Sequence, residues 1–140
     1  MKRFFAVTAA VALGSAFSMS APAATGNANK EIATALIHAN VASKVDSLSG
    51  VHLHLHHVLN CVLGPHSKQY SAAAEKLSAY KCVGLGNGAL PDSRDPAVRS
   101  DLQQVVKFAD RGIQSQQFAT AHQSALGVLA QLKRAQAAAK

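Results

Sequence analysis

Residues 51–61 read VHLHLHHVLNC, and the way this stretch folds decides the class of the whole chain. As a strand, its two-residue alternation would put His52, His54 and His56 on one face and Leu53 and Leu55 on the other. The alternation is short, however, and it runs into Val58–Leu63, whose apolar spacing is helical. At about 100° per residue, Leu48, Val51, Leu55, Val58, Leu59 and Val62 share one arc, so the stretch is predicted to be an amphipathic helix. Composition points the same way: alanine dominates, tryptophan is absent, and β-branched runs are short. An all-α fold follows.

Four periodic segments are predicted. The first runs from about Ala28 to Asp46, with Asn27 or Asn29 as N-cap. The second runs from Ser47 or Ser49 to Leu63, where Gly64-Pro65 stops it. Asp95 caps the third, with Pro96 at the first helical position, where a missing N–H is harmless. Its apolar face carries Val98, Leu102, Val105, Val106, Ala109 and Ile113, and Gly112 is expected to end it. Ser115 is expected to cap the fourth, which continues to about Ala138 with Phe118, Ala121, Ala125, Leu129 and Leu132 on one stripe. Between the second and third lies a long connection, Gly64 to Arg94, in which Ser71–Tyr80 could form a short helix. The architecture expected is a four-helix bundle, which tolerates such a connection.

Lys2 and Arg3, an apolar run from Phe4 to Phe17 and Ala21-Pro22-Ala23 have the pattern of a cleaved secretory signal peptide. Residues 1–23 are therefore expected to be the signal and 24–140 one domain, exported to the periplasm or secreted. Removing Lys2 and Arg3 lowers the formal charge from +7 to +5. The remaining cations are scattered without aromatic interleaving, so nucleic-acid binding has no support. No second apolar stretch suggests a membrane span. The two cysteines, Cys61 and Cys82, read as a disulfide in an oxidising compartment. Closing a loop of about 20 residues contributes roughly 3 kcal/mol. It would also pin the long connection to the end of the second helix.

The seven histidines carry whatever chemistry the chain has. On the second helix His52 falls inside the apolar arc and His56, one turn later, at its edge, so the two make an i, i+4 ligand pair. His54 lies on the opposite edge near Cys61, and His57 is expected to point away from the core. His38 shares a face with Val41 and Val45, His122 lies in the stripe of Phe118, Ala125 and Leu129, and His66 is expected to be exposed. Three helices would thus direct imidazoles inward, as bundles do when they build cofactor sites. The expected ligands are His38, His52, His56 and His122. There is no Glu-x-x-His for a di-iron centre, no H-E-x-x-H for a zinc protease and no C-x-x-C-H for covalent haem. An imidazole set suits copper, zinc or nickel, with copper bound most tightly. Non-covalent haem b between facing histidines is the rival cofactor. A third reading has no cofactor: buried imidazoles that respond to acid in an envelope or stress interaction protein. No nucleophile–base pair or phosphate loop is visible, so no enzyme is expected.

The stretch HLHHVLNCVLGP from His54 to Pro65, with Cys82 and GNGALPD from Gly86 to Asp92, resembles a family of small, uncharacterised exported proteins of Gram-negative bacteria. The resemblance implies export and pairing of the cysteines. It implies no activity.

Overall fold

In the computed structural model, residues 27–139 are described; the signal-peptide expectation for residues 1–23 lies outside them. Among the described residues six helices form: α1 (Ala28–Ala42), α2 (Leu48–Leu63), α3 (Ala72–Lys76), α4 (Ala89–Asp92), α5 (Pro96–Gln114) and α6 (Phe118–Ala138). No strand occurs among the described residues, and the fold is all-α as the helical spacing requires. None of these helices is long and apolar enough to cross a membrane.

The helix starts follow from capping chemistry. The side chains of Asn27, Ser47, Ser71 and Asp95 each accept a backbone N–H of the following turn, which satisfies donors that the helix itself leaves free. Pro96 occupies the first turn of α5 as predicted. The ends depart from expectation at three places. α1 stops at Ala42 rather than Asp46, because Ser43 and the two residues after it turn the chain into the cap of α2. α5 continues through Gly112 to Gln114, so Ser115 closes α5 instead of opening α6, whose N-cap is Gln117. Gly112 is there for contact: a Cβ at this position would collide with Leu55 Cδ1 and come within 3.0 Å of Ser124 Cβ.

α1 packs on α2 and α6, α5 packs on α2 and α6, and α2 also meets α6. Ile32, Leu55, Val58, Val62, Leu102, Val105, Val128 and Leu132 fill the space between them. Fully buried Ala35, Ala39, Ala109, Ala121 and Ala125 keep the helix axes close. Burial of a Leu or Val side chain stabilises by roughly 1.5–3 kcal/mol, so this seam dominates the favourable energy.

The connection from Gly64 to Arg94 is a built layer over α2. The buried Asn60 side chain grips it: Asn60 Oδ1 accepts the Ser71 N–H at 2.8 Å and its amide donates to Ser71 O at 2.9 Å and to Glu75 Oε2 at 3.1 Å. Glu75 Oε1 accepts the N–H groups of Cys82 and Val83, each at 3.1 Å. Cys82 is bridged to Cys61, with Cα atoms 5.0 Å apart. Further on, Gly64 (φ +76°) and Gly88 (φ +111°) lie backbone against backbone, a close approach that two left-handed glycines permit. The α4 turn that follows is not predicted by periodicity. It is held by the Gly88 N–H on Glu31 Oε1 at 2.8 Å and by Arg99 Nη1 donating to Leu90 O and Ser93 O.

Candidate metal centre

Helix α2 presents His54, His57 and Cys61 along one stripe, at i, i+3 and i+7. Helix α1 brings His38 against that stripe. The His38 and His57 rings stack with centroids 4.5 Å apart; His54 lies 5.9 Å from His38 and 5.6 Å from His57. Each of the three offers a ring nitrogen within 4.8 Å of the other two. Among the described residues this is the one group of three or more His, Cys, Asp or Glu side chains so arranged.

Of the four ligands predicted, the structure brings only His38 into this cluster. His52 Nε2 lies 3.0 Å from Ser115 O and so donates to the α5–α6 turn. His122 Nε2 lies 3.0 Å from Ser43 O, tying α6 to the α1–α2 turn, and its ring stacks on Phe118. Both imidazoles are directed to loop carbonyls at the end of the molecule where these turns meet. His56 is half-buried beside His52 and Asp110, with Nδ1 unpartnered, and His66 is exposed as expected. His57 reverses its prediction outright: expected to face away from the core, it is 2 % exposed. The apolar arc is correctly placed, but the opposite side of α2 is covered too, by the connection that carries Ser78, Tyr80 and Cys82.

The protonation state of the cluster can be read from its partners. His38 Nε2 lies 2.8 Å from the Tyr80 carbonyl, which can only accept, so Nε2 carries the proton and Nδ1 the lone pair. Ser78 Oγ, 3.4 Å from the same nitrogen, donates to Tyr80 O at 2.8 Å and completes the bracket. The Nδ1 atoms of His54 and His57 are buried without a hydrogen-bond partner. Burial depresses all three pKa values. For His38 it outweighs the Tyr80 carbonyl and the nearby Glu75 carboxylate, and for His54 the His38 ring adds to it. His57 is pushed from 6.5 to about 4, first by burial and then by His38 and His54, with Glu75 opposing. At neutral pH the cluster is three uncharged imidazoles, the state in which they ligate metal without first losing a proton.

In a tetrahedral zinc site with Zn–N bonds of about 2.0–2.1 Å, ligand nitrogens sit roughly 3.4 Å apart. The three rings therefore need modest rotations to close on an ion. Three imidazoles leave one coordination position open. His38 and His57 are almost fully buried and His54 is half-buried, so solvent reaches the centre on the His54 side. Glu75, already engaged through both oxygens, supplies negative charge nearby without being a ligand. Comparison with protein-family models, with curated proteins and with solved structures finds no match for this chain.

Proposed function

We propose that this chain is an exported, periplasmic protein, a four-helix bundle with a disulfide-pinned connection, that binds a transition metal through His38, His54 and His57. Copper is the preferred ion and zinc the alternative, and the role is sequestration or delivery without catalysis. The observation that carries the reading is the convergence of three neutral imidazoles with ring nitrogens within 4.8 Å of one another, two of which also carry a buried Nδ1 with no hydrogen-bond partner. A buried polar atom left unpaired costs about 1–3 kcal/mol, and an ion held through those Nδ1 atoms would satisfy both at once. An all-nitrogen set favours copper, zinc or nickel over calcium or magnesium. The rings of His38 and His57 stack at 4.5 Å, which leaves no slot for a porphyrin between them and disfavours haem b. The disulfide and the lack of a long apolar helix among the described residues are compatible with export.

The test is equilibrium dialysis of the tag-free protein against copper(II) and zinc, with metal content measured on the retentate. One equivalent is expected. It should be lost in His54→Ala/His57→Ala and retained in His52→Ala/His122→Ala. Uptake that survives the first pair, or that is abolished only by the second, would refute this site. The acid-responsive reading keeps one specific support, the depressed pKa of all three clustered histidines. A wild-type protein that takes up neither ion but unfolds on mild acidification would favour it.

A further inference from the structure

His38 is oriented by a carbonyl in the connection, and the connection is held over the site by a covalent bond. From Lys76 to Gly84, the hydrogen bonds and covalent links to α1 and α2 are few. They are the His38 contacts with Tyr80 O and Ser78 Oγ, the Cys61–Cys82 bridge, and an indirect link in which Glu75, held by Asn60, accepts the Cys82 and Val83 N–H groups. Cys61 stands one turn beyond His57 on α2, and Cys82 two residues beyond Tyr80. The bridge thus joins the helix that supplies two ligands to the strap that fixes the tautomer of the third. Leu77, Tyr80 and Val83 on the strap are 73 %, 57 % and 52 % exposed, so little apolar burial holds it down. Both sulfurs, by contrast, are buried, so the bond once formed is shielded from small reductants.

We propose that formation of the Cys61–Cys82 disulfide assembles the three-histidine site, so that the oxidised chain holds the metal firmly and the unbridged chain does not. The inference rests on the metal-binding reading above. In the step that turns the site on, one cysteine thiolate attacks the disulfide of a thiol oxidase. The second then displaces the mixed disulfide, forming the Cys61–Cys82 bond. The oxidase leaves as its dithiol, having taken two electrons and two protons. Without the bridge the strap is tied to α2 through the Asn60–Glu75 hydrogen bonds alone, so Ser78–Cys82 loosens, His38 loses the carbonyl that fixes its Nε2–H, and His57 opens to water. Loss of an oriented partner behind a ligating histidine lowers metal affinity about 10–100-fold. A chain that acquires its disulfide only after export would then stay metal-poor until it reaches the oxidising compartment.

Zinc is the probe, because it has no redox chemistry of its own. Its dissociation constant is measured by chelator competition for the oxidised wild type and for Cys61→Ala/Cys82→Ala, which also removes the thiols as alternative ligands. The variant is expected to keep its far-UV circular dichroism and to bind at least about tenfold more weakly. The ring ¹⁵N shifts of its His38 should move from a fixed Nε2–H tautomer to an average of both. Equal affinity in a folded variant overturns the inference and leaves the metal site standing. An oxidised wild type that takes up neither zinc nor copper(II) overturns both.

If the variant does not fold, the second measurement is made on the metal-free wild type, whose His38 ring ¹⁵N shifts are read before and after reduction of the disulfide. Reduction should move His38 from the fixed Nε2–H tautomer to an average of both. A His38 tautomer unchanged by reduction overturns the coupling.

Discussion

Glu31 offers the sharpest check on how the connection is held to α1. It is 1 % exposed, Oε1 accepts the Gly88 N–H, and Oε2 has no hydrogen-bond partner. Burial raises its pKa from 4.5 to about 7; the Gly88 hydrogen bond works against that and the Asp92 carboxylate adds to it. Below pH 4.5 the group is protonated in both folded and unfolded chains, and its favourable contribution is complete. Between 4.5 and about 7 the unfolded chain loses the proton that the folded chain keeps, so stability falls as pH rises. At about 1.4 kcal/mol per pKa unit the full loss is about 3 kcal/mol, reached above pH 7. Glu31→Gln keeps an acceptor for Gly88 and removes the titration. Urea unfolding of wild type and variant at pH 5, 6, 7 and 8 gives the difference in free energy at each pH. That difference should move in favour of the variant by about 2.5 kcal/mol from pH 5 to pH 8, the rest having been lost below pH 5. Taking differences cancels the histidines, whose titration runs the opposite way over an overlapping range. A difference that stays flat to within about 0.5 kcal/mol would show that Glu31 ionises normally and that the burial argument fails.

The metal-free protein should lose stability on acidification through the cluster. His57 has a folded pKa of about 4 against 6.5 unfolded, so its contribution is complete above 6.5 and lost as pH falls toward 4, by about 3 kcal/mol. His57→Leu should flatten the pH 4–6.5 limb of the metal-free stability profile, and an unchanged slope would count against the neutral cluster. Gly112→Ala should be destabilising by about 1–3 kcal/mol despite a helix-propensity gain of about 1 kcal/mol, since its methyl must displace Leu55 Cδ1 and crowd Ser124. A thermal midpoint equal to or above wild type would mean that α2, α5 and α6 are less tightly packed than described.

The long helices were legible because their signals are local. Asn27, Ser47 and Asp95 act as caps and Gly64 stops α2, each through a side chain or backbone angle set within one turn. Apolar spacing then fixed which face meets the core: Leu55, Val58 and Val62 are all fully buried. Gly112 defeats a local reading because glycine has two uses in a helix, ending it or admitting a neighbour, and only the Leu55 and Ser124 contacts distinguish them. The α4 turn escaped because long-range bonds to Glu31 and Arg99 hold it, and no periodicity marks a four-residue helix.

The His38, His54 and His57 cluster escapes helical phase for a related reason. Helical phase places His52 in the apolar arc and His57 opposite it, but phase counts only the neighbours that long helices supply. An imidazole in an apolar stripe near a helix start can reach a loop carbonyl, as His52 on α2 and His122 on α6 do at Ser115 and Ser43, and such a histidine is structurally satisfied. The far side of α2 is covered by a segment with little secondary structure, so no pattern in that segment announces the burial. The sequence does hold one pointer to it. If Cys61 is bridged to Cys82, the connection must cross α2 on the side that Cys61 faces, and His57 and His54 stand one and two turns before Cys61 on that same side. The disulfide, followed back along the helix, leads to two of the three clustered histidines. His38 then follows as the α1 histidine packed against that stripe, the one already picked out by its inward face.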